Sequence, residues 1–202
     1  MVLNTGFFWI LLAGLIYGGI HSAFASIPVK EWVRNQLGVE NPNTYRFIFI
    51  LQSFFFTLIF FAIVFILPDT ILYVIPAPWH YLTIVLEIAA ILGTIFSLFQ
   101  TGILAFFGLA PFMNSEQAAR ANQLNTQGFY RYMRHPLYFF SLIVIWLLPV
   151  MTWNILAWDF CVTIYLLVGS LFEERKLVRE FGNEYLEYQK QVPAFWPRFA
   201  NK

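Results

Sequence analysis

Long apolar runs separated by short polar connections dominate the pattern of this chain. Three of the runs cover residues 6–27, 45–67 and 79–109, and each exceeds the roughly 20 residues that an α-helix needs to cross a hydrocarbon core of about 30 Å. Two further runs, 136–151 and 153–172, are joined by a short polar turn. The pattern therefore predicts an all-α, polytopic integral membrane protein with about five transmembrane helices.

The fourth run is the shortest of the five. A helix of about 15 residues rises only about 22 Å, and Pro149 near its end is typical of a helix that is terminating. We expect it to thin the bilayer, or to stop short of the far surface, while it packs on the fifth helix as a hairpin. The predicted organisation is three transmembrane helices in residues 1–110, and one structural unit in residues 111–202 that combines a cytoplasmic connector, the hairpin and a cytoplasmic amphipathic tail.

The composition excludes several other classes of protein. Of the 202 residues, 59% are hydrophobic and 11% are charged, which is far from the average of a soluble domain. A single cysteine excludes an intrachain disulfide framework and a four-thiolate zinc site. The net charge of +1 argues against nucleic acid as a partner. The three histidines lack the spacing of metal ligands, so no metal is expected.

The basic residues all fall on one side of the predicted membrane. They occupy the first connection, the third connection and the carboxyl-terminal segment: Lys30, Arg34, Arg46, Arg120, Arg131, Arg134, Arg175, Lys176, Arg179, Lys190, Arg198 and Lys202. The positive-inside rule then predicts an external amino terminus and a cytoplasmic carboxyl terminus in the inner (plasma) membrane. Ala23-Phe24-Ala25 resembles a signal-peptidase site, but cleavage there would leave the first three of these basic residues outside, against that rule.

Polar side chains inside the predicted spans are costly and therefore often functional. Those that gather towards the cytoplasmic leaflet are His21, Ser22, Arg46, Gln52 and Gln100. They could contact a substrate, with His21 as a candidate catalytic base, or they could be hydrogen-bonding groups between helices. In the outer half, His80 and Glu87 lie on one helix face, and we expect Glu87 to be protonated or paired with His80.

The densest chemical signal begins at the fourth run. Residues 128–138 read Gly-Phe-Tyr-Arg-Tyr-Met-Arg-His-Pro-Leu-Tyr, and Glu173-Glu174 follow the hairpin. Pro136 suits the first position of a helix, which sets Arg134 and His135 at a positive helix start where anionic groups are favoured. Antiparallel packing of the hairpin would return both glutamates to the same membrane level. These residues then enclose a pocket, or they form a plain ion pair at the membrane surface.

Two parts of the chain resemble known families. Residues 93–197 resemble the isoprenylcysteine carboxyl methyltransferase and phospholipid methyltransferase superfamily in Arg134-His135-Pro136-Leu137-Tyr138, Glu173-Glu174, Tyr185, Tyr188 and Val192-Pro193. The amino-terminal part, with His21-Ser22 and Tyr45-Arg46, is similar to the NnrU and methanethiol S-methyltransferase branch. Family members often have Gly where this chain has Phe139-Phe140, so helix packing or the approach of a cofactor is expected to differ at this point.

The resemblance implies a membrane methyltransferase that uses S-adenosylmethionine. It implies cofactor contacts from Tyr130, Arg134, His135, Pro136, Tyr138, Glu173, Glu174, Tyr185 and Tyr188. In this interpretation Arg134 pairs with the cofactor carboxylate, and one glutamate takes its ammonium or ribose. The implied acceptor is a small thiol or a lipid at the cytoplasmic leaflet, and His21 or His135 would take its proton where the acceptor carries one.

Two other functions stay open. A membrane reductase of the sterol or steroid type can share an Arg-His-Pro element and would need NADPH. The NnrU resemblance also permits a non-enzymatic accessory protein of nitrogen-oxide respiration. Residues 111–127, with a helix cap at Asn114 or Ser115, could be a lid over the site or a solvated connector. After Phe172, an apolar helical spacing broken at Gly182 predicts an amphipathic tail on the membrane surface.

Overall fold

The computed structural model describes residues 2–39, 41–102 and 123–197, without the side chains at 42 and 43. Helices make up most of this part of the chain. The α-helices are α1 (Phe7–Ala25), α2 (Ile27–Leu37), α3 (Pro42–Ile66), α4 (Trp79–Thr101), α5 (Pro136–Trp146), α6 (Trp153–Phe181) and α7 (Asn183–Gln191), and two strands, β1 (Ile71–Val74) and β2 (Val150–Thr152), pair antiparallel. Short 3-10 turns cover Val2–Asn4 and Gly128–Arg131.

Four of these helices are long and apolar enough to cross a membrane: α1, Thr44–Ile66 of α3, α4 and α6. A mainly helical, polytopic integral membrane protein is therefore confirmed, and the small sheet corrects the expectation of an all-α chain. Five full-length spans are not confirmed, because the fourth apolar run forms only the 11-residue helix α5, which rises about 16 Å. The helix ends before Pro149, which has no N–H to continue the helical hydrogen bonds. The rest of this apolar run forms β2.

Local signals explain where the other helices begin and end. α6 has 29 residues and continues beyond residue 172, because the polar residues that follow are good helix formers. Gly182 ends it with a φ of 56°, a left-handed conformation that favours glycine, so the predicted break at this position is confirmed. α2 was not expected, although Pro28 in its first turn and Gly38 after its last are ordinary boundary signals.

The chain divides into two compact units. Among the described residues, the first unit contains everything up to Val74, together with Val150–Val162. Its core is a cluster of apolar side chains from α1, α3 and α6: Ile10, Phe60, Val64 and Ala157. Asn154 connects α6 to the end of α3. Its Nδ2 donates to backbone carbonyl oxygens in the last turn of α3 and just after it, including that of Leu67 at 3.2 Å. Carbonyl oxygens at a helix end have no partner within the helix.

The second unit contains the described residues of 75–102, 123–149 and 163–197. α4 and α5 pack closely in it, because Gly93 admits the Phe140 ring where a Cβ would overlap it. The backbone N–H of Ile75, ahead of α4, donates to the carbonyl oxygen of Pro149, after α5, at 2.9 Å. The two helices are therefore antiparallel, and the amino end of α5 lies at the carboxyl end of α4.

Candidate active site

A polar cavity of about 230 Å³ lies within the second unit, where α4 ends and α5 begins. Its lining residues are Thr101, Gln123, Leu124, Asn125, Tyr130, Arg134, His135, Leu137, Tyr138, Glu173, Lys176, Leu177, Glu180, Phe181, Tyr185 and Tyr188. Of the nine residues predicted to contact a cofactor, seven line this cavity, and the exceptions are Pro136 and Glu174. Pro136 is buried in the first turn of α5. The predicted convergence of the two motifs is therefore present in the structure.

Gln100, at the end of α4, holds the loop that precedes α5. Its Oε1 accepts a hydrogen bond from the backbone N–H of Phe129 at 3.2 Å, and its backbone carbonyl accepts one from Asn125 Nδ2 at 2.8 Å. Gly128 has a φ of 59°, and a Cβ there would overlap the Gln100 carboxamide, so the position requires glycine. Gln100 was predicted as a substrate contact. In the structure its side chain binds and positions this loop.

Arg134 is largely saturated by protein acceptors. Its Nε and Nη2 lie 2.7 and 2.6 Å from the same Oε1 of Glu174. Its Nη1 donates to the backbone carbonyl oxygens of Gln189 at 3.1 Å and Val192 at 2.5 Å. A guanidinium has five N–H donors, and four of them are engaged in this way. Arg134 therefore joins α5, α6 and α7, and has little capacity left for a ligand carboxylate.

The segment after α7 lies against the start of α5. The backbone N–H groups of Arg134 and His135 donate to the carbonyl oxygens of Pro193 and Ala194, each at 2.9 Å. The Phe195 ring packs on the His135 imidazole, with 5.5 Å between ring centroids. These contacts satisfy donors that have no partner within the helix, so the tail is part of the wall behind the site.

His135 lies between the two glutamates of α6. Its Nε2 is 3.1 Å from Oε1 of Glu174, and its Nδ1 is 3.6 Å from Oε2 of Glu173. Tyr138 donates its hydroxyl to the same Oε2 at 2.8 Å, and its ring is parallel to the imidazole, 5.4 Å away between centroids. These contacts fix the orientation of the His135 ring and of the Glu173 carboxylate.

The two glutamates differ in what they can offer a ligand. Glu174 is 17% exposed, bound to Arg134 and absent from the cavity lining, and Gln189 Nε2 donates to its second oxygen at 3.0 Å. Glu173 is 44% exposed and lines the cavity. The carboxylate that faces the cavity is therefore that of Glu173, while Glu174 supports Arg134.

Three tyrosines close the cavity with hydroxyl groups. The Tyr130 hydroxyl lies 2.7 Å from Thr101 Oγ1, and the Tyr188 hydroxyl donates to the backbone carbonyl of Tyr130 at 2.5 Å. Tyr185 is 1% exposed, and its hydroxyl makes no hydrogen bond of standard geometry with any described residue. Burial raises the pKa of all three phenols, and a nearby carboxylate adds to the shift at Tyr185. They are therefore donors at neutral pH.

The other predicted substrate contacts lie in the first unit, on α1 and α3: His21, Ser22, Arg46 and Gln52. His21 Nδ1 is 3.1 Å from Ser53 Oγ, and its ring packs on Phe49 with 4.9 Å between centroids. Both amide atoms of Gln52 are buried without a hydrogen-bond partner among the described residues. His21 thus makes an interhelical hydrogen bond, and the substrate roles stay predictions.

Several polar residues of the cavity lining were not predicted: Thr101, Gln123, Asn125, Lys176 and Glu180. Lys176 and Glu180 follow Glu173 on one face of α6, so helical spacing could have found them. Asp159 was also missed. It is fully buried in α6 within the first unit, and neither carboxylate oxygen has a hydrogen-bond partner in the described part of the chain. An aspartate inside an apolar run was the available signal.

The remaining predictions have different outcomes. His80 packs on the Tyr81 ring with 4.1 Å between centroids, and among the described residues no ion pair joins it to Glu87. The lid or connector expected at residues 111–127 lies mostly outside the described residues, as does the third apolar run beyond residue 102. Within the described ranges, no group of three or more His, Cys, Asp or Glu side chains could hold a metal ion.

Four helices long and apolar enough to cross a membrane indicate an integral membrane protein, and ionisable side chains line a cavity at one end of α4. The chain belongs to the family described as a protein of unknown function (DUF1295), whose model matches residues 9–192. No solved structure gives a significant match to the chain.

Curated relatives carry methyltransferase names. The chain is 40% identical over 80 residues to a methanethiol S-methyltransferase of Crocosphaera subtropica, covering 40% of this chain and 31% of that protein. It is 34% identical over 117 residues to methanethiol S-methyltransferase 2 of Bradyrhizobium diazoefficiens, covering 55% and 45%. It is 32% identical over 132 residues to a protein-S-isoprenylcysteine O-methyltransferase of Schizosaccharomyces pombe, covering 53% of each protein.

The chain therefore matches from about a third to about half of the length of these relatives. Their names, together with the family match, confirm the resemblance to the isoprenylcysteine carboxyl methyltransferase superfamily.

Proposed function

We propose that this protein is an integral membrane methyltransferase that uses S-adenosylmethionine and methylates a small thiol or a lipid. The observation that carries the proposal is the cavity in the second unit, where Glu173 and Glu180 provide carboxylates, Lys176 provides a cation and Tyr185 provides a buried hydroxyl that makes no hydrogen bond of standard geometry with any described residue. A ligand with a carboxylate, an ammonium and hydroxyl groups matches this set of donors and acceptors. The methyltransferase names of the relatives support the same class of reaction.

The residues of the cavity suit the parts of S-adenosylmethionine in a definite way. When bound, the cofactor supplies a methyl group on a positively charged sulfur. Glu173 would hold the ammonium or a ribose hydroxyl, and Tyr185 would donate to an oxygen of the cofactor. We assign the cofactor carboxylate to Lys176 instead of Arg134, because Arg134 is engaged with protein groups. The parallel rings of His135 and Tyr138 offer a face for the adenine.

The acceptor is proposed to be a methanethiol-like thiol first and a lipid second, following the names of the relatives. A thiol must lose a proton, and His135, which lines the cavity between two carboxylates, is the candidate acceptor for it. His21 stays a second candidate base. Ser22, Arg46 and Gln52 stay candidate substrate contacts on the first unit. The protein's remaining contribution is to align donor and acceptor and to exclude water.

We also propose the membrane topology that the charges predict: five crossings, an external amino terminus, a cytoplasmic carboxyl terminus and an inner-membrane location, with residues 1–110 and 111–202 as the two functional parts. The hydrogen bond from Ile75 to Pro149 supports a fifth crossing, because it joins the connection before α4 to the end of α5. Thr101 lies 22 positions after Trp79, about 33 Å along α4, so the cavity lies a membrane thickness away from that bond, on the side expected to be cytoplasmic.

Calorimetric titration of the purified protein with S-adenosylhomocysteine tests the proposed function. The wild type should bind, and Glu173→Gln should weaken binding roughly tenfold or more, because a hydrogen bond to a charged group is lost. Glu187→Gln is the matched control, since Glu187 pairs with Lys190 on an exposed part of α7 and should change nothing. Equal affinity in both variants would refute the site.

A second experiment addresses the reaction itself. Methyl transfer from labelled S-adenosylmethionine to a panel of small thiols and lipids should show product with at least one acceptor. If NADPH, and not S-adenosylhomocysteine, raises the melting temperature, the reductase alternative replaces this proposal. If neither ligand binds and no acceptor is methylated, the accessory-protein alternative replaces it.

A further inference from the structure

A shallow groove along the second half of α6 combines two arginines with apolar side chains. It is lined by Leu171, Phe172, Arg175, Val178 and Arg179, with Glu174 and Gln189 at its floor. We call this surface the α6 groove. Apart from these floor residues, none of its side chains takes part in the contacts that build the candidate active site, and none lines the polar cavity.

The α6 groove lies at the level where α6 leaves the hydrocarbon. From Trp153 to Phe172 the helix is mostly apolar and has no basic residue over 20 positions, although it contains Asn154 and Asp159; this length corresponds to about 30 Å of rise and to the thickness of a hydrocarbon core. Arg175 and Arg179 follow at about 33 and 39 Å from Trp153 along the helix. The groove therefore has Leu171 and Phe172 in the acyl region, and Arg175 and Arg179, with Val178 between them, in the headgroup region.

The two arginines form a local excess of positive charge. They are exposed and one helical turn apart, and Arg179 Nε is anchored on the backbone carbonyl of Arg175 at 3.2 Å. Of the neighbouring acidic groups, Glu174 is committed to Arg134 and Gln189, and Glu180, which follows Arg179, lines the polar cavity; among the described residues neither arginine forms an ion pair. The Arg175 guanidinium lies 5.5 Å from the centroid of the Phe172 ring, which keeps the cation next to the apolar part of the groove.

We propose that the α6 groove is a binding site for an anionic phospholipid. The guanidinium groups of Arg175 and Arg179 would bind the phosphate oxygens, for which arginine is well suited, and an acyl chain would lie along Leu171 and Phe172. Charge complementarity and depth together favour a lipid over a soluble anion, since a soluble anion would gain nothing from the exposed apolar residues. The site is independent of the proposed methyl transfer and does not require the lipid to be a substrate.

Native mass spectrometry of the full chain released from nanodiscs tests this proposal. The nanodiscs contain equal parts of phosphatidylglycerol and phosphatidylcholine, and the measured quantity is the ratio of the two lipids retained. The test variant is R175Q/R179Q, and the matched control is R131Q/K190Q. The control removes the same net charge from two exposed positions outside the groove.

The wild type and the control should retain phosphatidylglycerol in preference to phosphatidylcholine, and R175Q/R179Q should lose that preference by roughly 25-fold, since each of the two basic side chains near the headgroups contributes about a factor of five. Unchanged melting temperatures check that the variants fold. Equal retention by R175Q/R179Q and wild type would overturn the proposal. So would an equal loss in the control, which would indicate a general charge effect, or displacement of the lipid by millimolar inorganic phosphate, which would indicate a soluble-anion site.

Discussion

Replacing Arg134 by alanine removes the group that joins α5, α6 and the segment after α7. Four hydrogen bonds disappear, to one oxygen of Glu174 and to the carbonyl oxygens of Gln189 and Val192. Because the Arg134 and Glu174 side chains are only 12% and 17% exposed, water cannot readily replace the lost donors. Among the described residues, the carboxylate of Glu174 then keeps the Gln189 amide and His135 as partners.

The expected cost follows from that burial. Removing one partner of a buried ion pair destabilises a protein by about 3–5 kcal/mol, because it leaves an uncompensated charge. For a chain of this size such a loss lowers the melting temperature by roughly 6–20 °C. Glu174→Gln added to Arg134→Ala should recover part of the loss, since the unpaired charge is then removed as well.

Thermal unfolding in detergent, followed by intrinsic fluorescence, measures this effect for both single variants and the double variant. Arg131→Ala is the control, because Arg131 is an exposed arginine on the neighbouring 3-10 turn and should change the melting temperature by less than the measurement scatter. An Arg134→Ala protein that melts with the wild type, while ligand affinity is lost, would refute the structural role and restore Arg134 as a direct ligand contact.

Three further predictions follow from single contacts. Gly128→Ala should destabilise the protein by about 1–3 kcal/mol, since it combines a left-handed backbone with overlap on the Gln100 side chain; Gly38→Ala, at φ 65° but facing open space, should cost less, and equal melting temperatures would contradict the overlap. Asp159→Leu should leave the melting temperature unchanged or raise it, because it removes a buried carboxylate that has no partner among the described residues; a drop of several degrees would mean that this carboxylate is stabilised. Tyr185→Phe should change the melting temperature little, because the hydroxyl makes no hydrogen bond of standard geometry with any described residue; it should weaken binding of S-adenosylhomocysteine several-fold, as measured by calorimetry, because the proposed donor to the cofactor is removed.

The apolar runs were enough to predict the membrane class, the bounds of α1 and α3, and the starts of α4, α5 and α6. Runs near the thickness of a bilayer have few alternatives to a helix, because every backbone N–H and C=O must be satisfied without water. For that reason the bounds of α1, α3 and the start of α4 agree with the predicted runs within a few residues. The prediction was weakest for residues 136–152, where an apolar run is divided between α5 and β2.

The division of that run depends on distant partners. β2 forms because Tyr73 and Val74 of β1 present a strand edge to Met151 and Val150. Hydropathy along the chain does not contain this pairing, since a short apolar segment suits a strand and a helix equally well.

In the candidate site, too, the sequence predicted the region, and packing decided the role of single residues. The motif around Arg134 and the paired glutamates identified the right region, because charged groups beside apolar spans are few and costly. The sequence could not distinguish Glu173 from Glu174, since adjacent helical positions differ only by a rotation of about 100°. Packing made that choice by placing Glu174 against Arg134 and Glu173 in the cavity wall.

What the sequence determined by itself is a chain that must lie in a membrane, with its densest polar motif beside the apolar runs; that its basic groups share one side of the membrane stays a prediction. Only the tertiary structure decided the partners: that Arg134 and Gln100 bind protein groups, that Lys176 and Glu180 line the cavity, and that Tyr185 is buried in the cavity wall. Transfer free energy is a property of each residue and adds along a sequence. Hydrogen-bond partners are set by distances of about 3 Å between segments far apart in the chain, and these exist only once the helices have packed.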